Sequence, residues 1–304
     1  MYHIPVLLEE SVSWLDVRPG GVYVDATFGG GGHAGPILDK MDGKGRLFAF
    51  DQDADAEANA SKPPFAGNAS FTFVRSNFRH LKRQLRAEGV IPGSVDGVLA
   101  DLGVSSHQFD TPSRGFSYRF DAPLDMRMNT ADGPTAADVL GTYTAERLQR
   151  VLGTLGEVRN ARTVAQAIVR QRAVRHLRTT GDLLALLDPM VRGDRMRYLA
   201  QVFQALRMEV NDELGALADF LSDAAAMLRT GGRLVVITYH SLEDRMVKNM
   251  MKTGDVGGVI RQDFYGNIER PLDMLTRKAI TPPATEIDQN NRARSARLRA
   301  AAKK

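Results

Sequence analysis

The sequence predicts an α/β fold, a Rossmann-like parallel sheet interrupted by an inserted all-helical domain, on three observations. Short apolar runs alternate with helical stretches over the first hundred residues, as expected of parallel strands buried on both faces. About a hundred residues after Asp101 then contain no convincing strand, and strand character returns only at 232–238.

Taken in order, residues 22–27, 46–51, 71–75 and 95–101 read as the first four strands, each bounded by Gly, Asp or Ser. A turn-rich stretch, 105–134, leads into helical sequence in which Ala161, Val164, Ala165, Ile168 and Val169 recur at helix spacing. A further helical pattern runs from about 196 to 228, with Gly231-Gly232 as its stop signal. A last strand is expected at 275–280, followed by a Pro-rich, basic tail that reads as extended or mobile. These boundaries divide the chain into a discontinuous sheet domain, 1–107 and 208–304, and a helical insert, 108–207.

A chain of 304 residues that is 43% hydrophobic can bury a substantial core. It contains no cysteine, which excludes disulfide frameworks, thiolate zinc sites and cysteine nucleophiles, and fits a reducing compartment. The six histidines are scattered without ligand spacing and no acid-rich loop resembles a cation cage, so no catalytic metal is expected. Residues 1–10 lack a basic stretch followed by an apolar run, and no apolar segment is long enough to cross a bilayer. The expected location is the cytoplasm, without membrane contact.

The net charge of +4 conceals an uneven distribution. Between Tyr143 and Arg207 twelve Arg and no Lys stand against five acids, and six basic residues from Arg292 to Lys304 stand against none. Either stretch suits a polyanion, although a solvated helix face is the favoured reading for each taken alone.

Residues 24–33, Val-Asp-Ala-Thr-Phe-Gly-Gly-Gly-Gly-His, place a glycine cluster directly after a buried strand and before a helix. Glycine there lets backbone approach a ligand closely. The second strand ends at Asp51, where a carboxylate accepts hydrogen bonds from both hydroxyls of a ribose. Gly29, Gly31 and Ala34 also satisfy the relaxed dinucleotide fingerprint, which keeps NAD open as an alternative. Asp25 and Asp101, ending the first and fourth strands, favour a cofactor carrying a positively charged sulfur, S-adenosylmethionine. Phe78 follows the third strand, where its ring serves equally for stacking on adenine or for opening the next helix within the core.

Asp101 is the first choice for a catalytic contact. An exocyclic amine on a base is a poor nucleophile because its lone pair is delocalised, and an acceptor for its N–H restores electron density on nitrogen. His240 follows the fifth strand and is a candidate for contact with a base or phosphate, whereas Ser241 reads as a helix cap. Arg114, Arg119 and Arg127 stand among Phe116, Tyr118 and Phe120, a mixture suited either to gripping RNA or to an ordered loop with a small aromatic core.

With residues 25–33 and 101–106, further segments carry a close resemblance over nearly the whole chain. They are His3-Ile4-Pro5-Val6-Leu7-Leu8, Arg114-Gly115-Phe116-Ser117, Pro123-Leu124-Asp125-Met126-Arg127-Met128 and Val202-Phe203-Gln204-Ala205-Leu206-Arg207. Val210-Asn211-Asp212-Glu213-Leu214, His240-Ser241-Leu242-Glu243-Asp244-Arg245 and Arg292-Ala293-Arg294-Ser295-Ala296 complete the set. In these the chain resembles the RsmH (MraW) family of bacterial 16S rRNA cytosine-N4 methyltransferases.

The resemblance implies a class I methyltransferase sheet with a helical substrate-recognition insert, using S-adenosylmethionine. It implies action on 16S rRNA in the assembled small ribosomal subunit, at a cytosine of the decoding region. It also implies cofactor contacts from Gly31, Gly32, His33, Asp51, Phe78, Asp101 and Gln108. RNA contacts are expected from Arg114, Arg119, Arg127, Arg292 and Arg294, and the oligomeric state, a homodimer included, stays open. The chain departs from the family pattern at His107, at Gly30 and over 157–160. Other readings are a methyltransferase of DNA or a small molecule, an NAD oxidoreductase, and a non-catalytic RNA-binding factor.

Overall fold

A computed structural model describes residues 5–304; His3 and Ile4 of the first motif lie outside the described residues. The chain forms two compact units, one of residues up to Gly103 together with Leu214–Lys304, the other Val104–Glu213.

The first unit is built on a seven-stranded sheet. Its strands are β1 (Val22–Asp25), β2 (Arg46–Asp51), β3 (Phe71–Arg75), β4 (Val95–Asp101), β5 (Leu228–Thr238), β6 (Leu272–Met274) and β7 (Arg297–Lys303). Their order is β3-β2-β1-β4-β5-β7-β6. Strands β1 to β5 are mutually parallel, and β7 runs antiparallel between β5 and β6. This is the class I methyltransferase arrangement.

Strand periodicity accounts for the two apolar layers. Phe48, Phe50, Val98, Ala100, Leu234 and Val236 face one layer, closed by Leu81, Leu85, Phe220 and Leu221. Leu47, Ala49, Leu99, Val235 and Ile237 face the other, closed by Leu7, Leu15, Ile37 and Met41. Successive side chains point to opposite faces, so a strand covered on both sides reads as an unbroken apolar run.

Two expectations about the C-terminal end need correction. The segment 275–280 is not a strand; β6 precedes it at Leu272–Met274, and Ile280 makes only an isolated bridge to Leu298. The last strand is instead formed by the basic tail, where Leu298, Ala300 and Ala301 are fully buried. Arg299 enters this interior because Asp244 meets it with both carboxylate oxygens, Nε at 2.6 Å and Nη2 at 3.0 Å. Arg297 adds a contact to the same carboxylate at 3.3 Å.

The helical pattern over 196–228 is two helices, Arg195–Val210 and Glu213–Met227. They are separated at Asp212, whose φ of 45° leaves the helical region. Gly231 and Gly232 do not stop a helix but lie inside β5, close to the register shift opposite Val95 and Gly97.

The second unit is helical. Its larger helices are Ala145–Leu155, Ala161–Val174 and Arg195–Val210, with shorter ones at Ala136–Thr142 and Thr180–Leu187. Thr135, Thr144, Thr179 and Asp194 each accept a backbone N–H as helix N-caps. Leu140, Leu148, Leu152, Val164, Ile168, Val202 and Leu206 form its core. Among the described residues no helix is long and apolar enough to cross a membrane.

Candidate active site

The order β3-β2-β1-β4 means that the chain leaves β1 toward one edge and restarts at β4 on its other side. Ligands of open α/β sheets lie outside the carboxyl ends of the strands at such a reversal. Here the strands end in Asp25, Asp51 and Asp101.

Asp25 is buried, and its Oδ1 accepts the Thr27 N–H at 3.1 Å while Oδ2 has no hydrogen-bond partner. Burial pushes its carboxyl up to about 7, against the Thr27 amide, which lowers it, and with the neighbouring Asp51 charge raising it further. A half-satisfied buried acid is costly without a ligand, and a cationic group is the partner that suits it.

The following turn needs glycine for two reasons. Gly29 and Gly31 have φ of 52° and 78°, where only glycine rests without strain. A Cβ on Gly31 would also drive into the Phe65 ring, and Phe65 is fixed edge-on against Phe28 at 4.9 Å. Asp51 ties the turn down, its Oδ2 accepting the Gly29 N–H at 2.8 Å and its Oδ1 the Asp53 N–H at 2.9 Å. Burial raises the Asp51 carboxyl, partly offset by these amides. The helix Ala54–Ala60 that follows is capped by Asp53, whose side chain accepts the Asp55 N–H. Gly31→Ala is expected to lower the melting temperature, because the turn must move to admit the methyl group.

Asp101 is part-buried. Its backbone N–H donates to Thr27 Oγ1 at 2.7 Å, locking the exit of β4 to that of β1. Its Oδ1 accepts the Tyr239 hydroxyl at 2.8 Å. Burial pushes the Asp101 carboxyl up to about 7, tempered by the Tyr239 hydrogen bond, with Asp25, Glu243 and Glu286 adding to the rise. The Tyr239 phenol is itself held well above its usual value by burial and by Asp101, so it remains a donor.

Tyr239 was not foreseen from the sequence. The signal was available, since it stands two positions past Ile237, the partner of Asp101 across β4 and β5.

Other expected residues fall as follows. The His33 Nε2 lies 3.3 Å from the Val6 carbonyl, and burial lowers its imidazole to about 4, so it is neutral at pH 7. Phe78 opens a short 3₁₀ turn and packs edge-on against Phe220 at 5.3 Å, with part of its surface exposed.

His240, rather than Ser241, is the N-cap of the helix Ser241–Thr253. Its extended backbone and ring nitrogen let Nδ1 accept from the Glu243 N–H at 3.5 Å, while Nε2 lies 3.0 Å from Glu243 Oε1. Glu243 Oε2 in turn accepts the Tyr239 N–H at 3.0 Å, so the cap steadies the residue that holds Asp101.

Gln108 belongs to the helical unit, where it completes a capping box with Ser105: the Ser105 N–H donates to Gln108 Oε1 at 3.1 Å. Arg114 donates from Nη2 to the carbonyls of Arg127 and Met128, and Arg127 forms a two-point pair with Asp125 at 2.9 and 2.8 Å. The guanidiniums of both therefore serve to close the loop, as do Phe116, which is buried, and Tyr118, which packs on Phe203 at 5.4 Å.

Arg119 is exposed, as are Arg292 and Arg294 on the 3₁₀ turn Asn291–Ser295. Asn211 anchors the loop from the far end of the unit, accepting the Met128 N–H at 2.7 Å and donating to the Met126 carbonyl at 2.8 Å.

Comparison with known proteins adds an independent observation. Residues 1–304 match the sequence profile of the MraW methylase family. A protein of Parabacteroides distasonis named ribosomal RNA small subunit methyltransferase H is 53% identical over 303 residues, covering 99% of this chain and 97% of its own. Proteins of the same name from Bacteroides fragilis and Cytophaga hutchinsonii are each 53% identical, covering 100% and 99% of this chain and 98% and 99% of their own.

Proposed function

The chain belongs to the MraW methylase family, and on that premise we propose that it is an S-adenosylmethionine-dependent methyltransferase of small-subunit ribosomal RNA. The target we propose is the N4 amine of a cytosine in the decoding region of 16S rRNA, presented on the assembled subunit. The observation that carries this reading is the row of strand-tip carboxylates, with an unsatisfied oxygen on buried Asp25 and Asp101 held by Tyr239.

S-adenosylmethionine supplies a methyl group activated by a positively charged sulfur. The chain's residues fit it: Asp25 balances positive charge, Gly31 and Gly32 admit a close backbone approach, and Asp51 has lone pairs left for ribose hydroxyls. Phe78 offers a ring face to adenine, and His33 completes the binding residues of this unit; the family resemblance adds Gln108. Asp101 accepts an N–H of the target amine, so that the nitrogen lone pair is available as the methyl group arrives. One hydrogen on nitrogen is replaced by one methyl, and its proton passes to Asp101 and then to solvent.

Positioning contributes much of the rate, since a flipped-out base held in line converts an encounter into an intramolecular step. Arg119, Arg292 and Arg294 are the exposed cations proposed to meet RNA phosphates. Arg114 and Arg127 shape the loop that carries Arg119. The same reading puts the protein in the cytoplasm, beside the ribosome.

The test is transfer of a radiolabelled methyl group to small subunits lacking the modification, to protein-free 16S rRNA and to duplex DNA, followed by mapping of the labelled nucleotide. Label on a single cytosine N4 of the assembled subunit is expected. Label on DNA would overturn the substrate, and RNA retention without any incorporation would make the chain a non-catalytic factor.

A further inference from the structure

The helical unit contains a pocket of about 240 Å³ that the proposed chemistry does not use. Arg159, Arg192 and Arg197 line it, together with Asp194, Tyr198 and Gln201. Arg159 precedes the helix Ala161–Val174, Arg192 lies between helices, and Arg197 sits in the first turn of the helix Arg195–Val210. Two pieces of chain, at 159 and over 192–201, therefore bring three arginines to one cavity.

Elsewhere in the unit some arginines face carboxylates, and Arg114 and Arg172 hold backbone carbonyls. Arg147 pairs with Glu209, Arg175 with Asp182, Arg195 with Asp188 and Arg207 with Glu213. Among the described residues the guanidiniums of Arg159, Arg192 and Arg197 form no ion pair. The one acid lining the pocket, Asp194, is engaged as a helix cap, its Oδ1 accepting the Arg197 N–H at 2.7 Å.

The floor is fixed: Tyr198 is 3% exposed, its hydroxyl donates to Asn160 Oδ1 at 3.1 Å, and Asn160 Nδ2 donates to the Met190 carbonyl at 2.9 Å. Three arginines brought together at an open pocket repel one another, an anion between them relieves that repulsion, and the positive end of a sixteen-residue helix adds to the attraction. The volume is below the ~300–1,000 Å³ of pockets that enclose a whole small molecule, so a single anionic group is the fitting occupant.

We propose that this pocket seats one backbone phosphate of the RNA substrate, gripped by Arg159, Arg192 and Arg197. Guanidinium forks match phosphate oxygens two at a time, which a lysine ammonium does not. The assignment rests on the chain acting on RNA, and it goes beyond that reading by naming a phosphate anchor distinct from Arg119, Arg292 and Arg294.

The test measures binding of a labelled single-stranded RNA dodecamer to the full chain over a range of KCl concentrations. It compares wild type, each single Arg→Gln variant, the triple variant, and Arg178→Gln, which removes an exposed charge that does not line the pocket. S-adenosylhomocysteine binding and thermal unfolding are followed in parallel to verify the fold.

The triple variant is expected to bind RNA at least tenfold more weakly. The slope of log affinity against log salt should fall by about 0.7, the value for one single-strand phosphate, and each single variant should lie between it and wild type. A fall near 2 would mean three separate phosphates and overturn the single-phosphate pocket. An affinity of the triple variant within twofold of Arg178→Gln overturns the site. Because the readout needs no turnover, a chain that grips RNA through these arginines yet transfers no methyl would sink the proposed function and leave the pocket standing.

Discussion

Asp101→Asn is expected to lower kcat for methyl transfer by about 10²- to 10⁴-fold, the range for losing a positioned proton acceptor, while S-adenosylhomocysteine binding changes far less. Asn keeps the size of the side chain and an oxygen that can accept the Tyr239 hydroxyl, so the loss reports charge rather than packing. The wild-type rate should rise with pH through the value near 7 to which burial pushes the Asp101 carboxyl, because only the ionised form accepts the amine proton. In Asp101→Asn that limb should vanish. Tyr239→Phe removes a donor that lowers this value, so its limb should move to higher pH. A wild-type rate in Asp101→Asn would end the catalytic assignment.

Stability carries the opposite sign at this site. The Asp25 and Asp101 carboxyls are raised in the folded chain. Their stabilising contribution is therefore complete below the unfolded value of about 4 and is lost as pH rises through about 7. Asp101→Asn should accordingly melt higher than wild type at pH 8, a stability gain obtained by discarding the charge that the chemistry needs.

Asp244→Ala is expected to destabilise the first unit by about 3–5 kcal/mol, the cost of leaving a buried ionic partner uncompensated. A fall in melting temperature of roughly 10 °C should follow. The loss falls on Arg299, 7% exposed within β7, more than on Arg297, whose side chain is largely in solvent. Burial alone would raise the Asp244 carboxyl, but Arg299 and Arg297 outweigh it and hold it below its usual value. This contribution is present above the unfolded value and disappears as pH falls through the depressed folded value. The melting difference between Asp244→Ala and wild type should therefore be constant from pH 6 to 8 and narrow only in acid. A difference under 2 °C would show that β7 does not depend on the pair.

The sequence by itself determined the first four strands of the sheet and the reappearance of strand character before Thr238. Parallel strands covered on both faces are apolar at nearly every position, and such runs can be read without knowing their neighbours. The glycine turn was legible for a related reason, since backbone at φ of 52° and 78° admits little else. The acids ending β1, β2 and β4 were equally plain, being polar residues that terminate apolar runs.

Only the tertiary structure decided the rest. A basic tail becomes a central strand because β5 offers a partner and Asp244, more than fifty residues away, neutralises Arg299. Tyr239 meets Asp101 across 138 positions of chain. Some arginines of the helical unit pair with carboxylates, Arg114 and Arg172 hold carbonyls, and three line a pocket. Periodicity reports which face of a segment is buried, but the partner that a charged or hydroxyl group finds depends on which distant segment lies opposite.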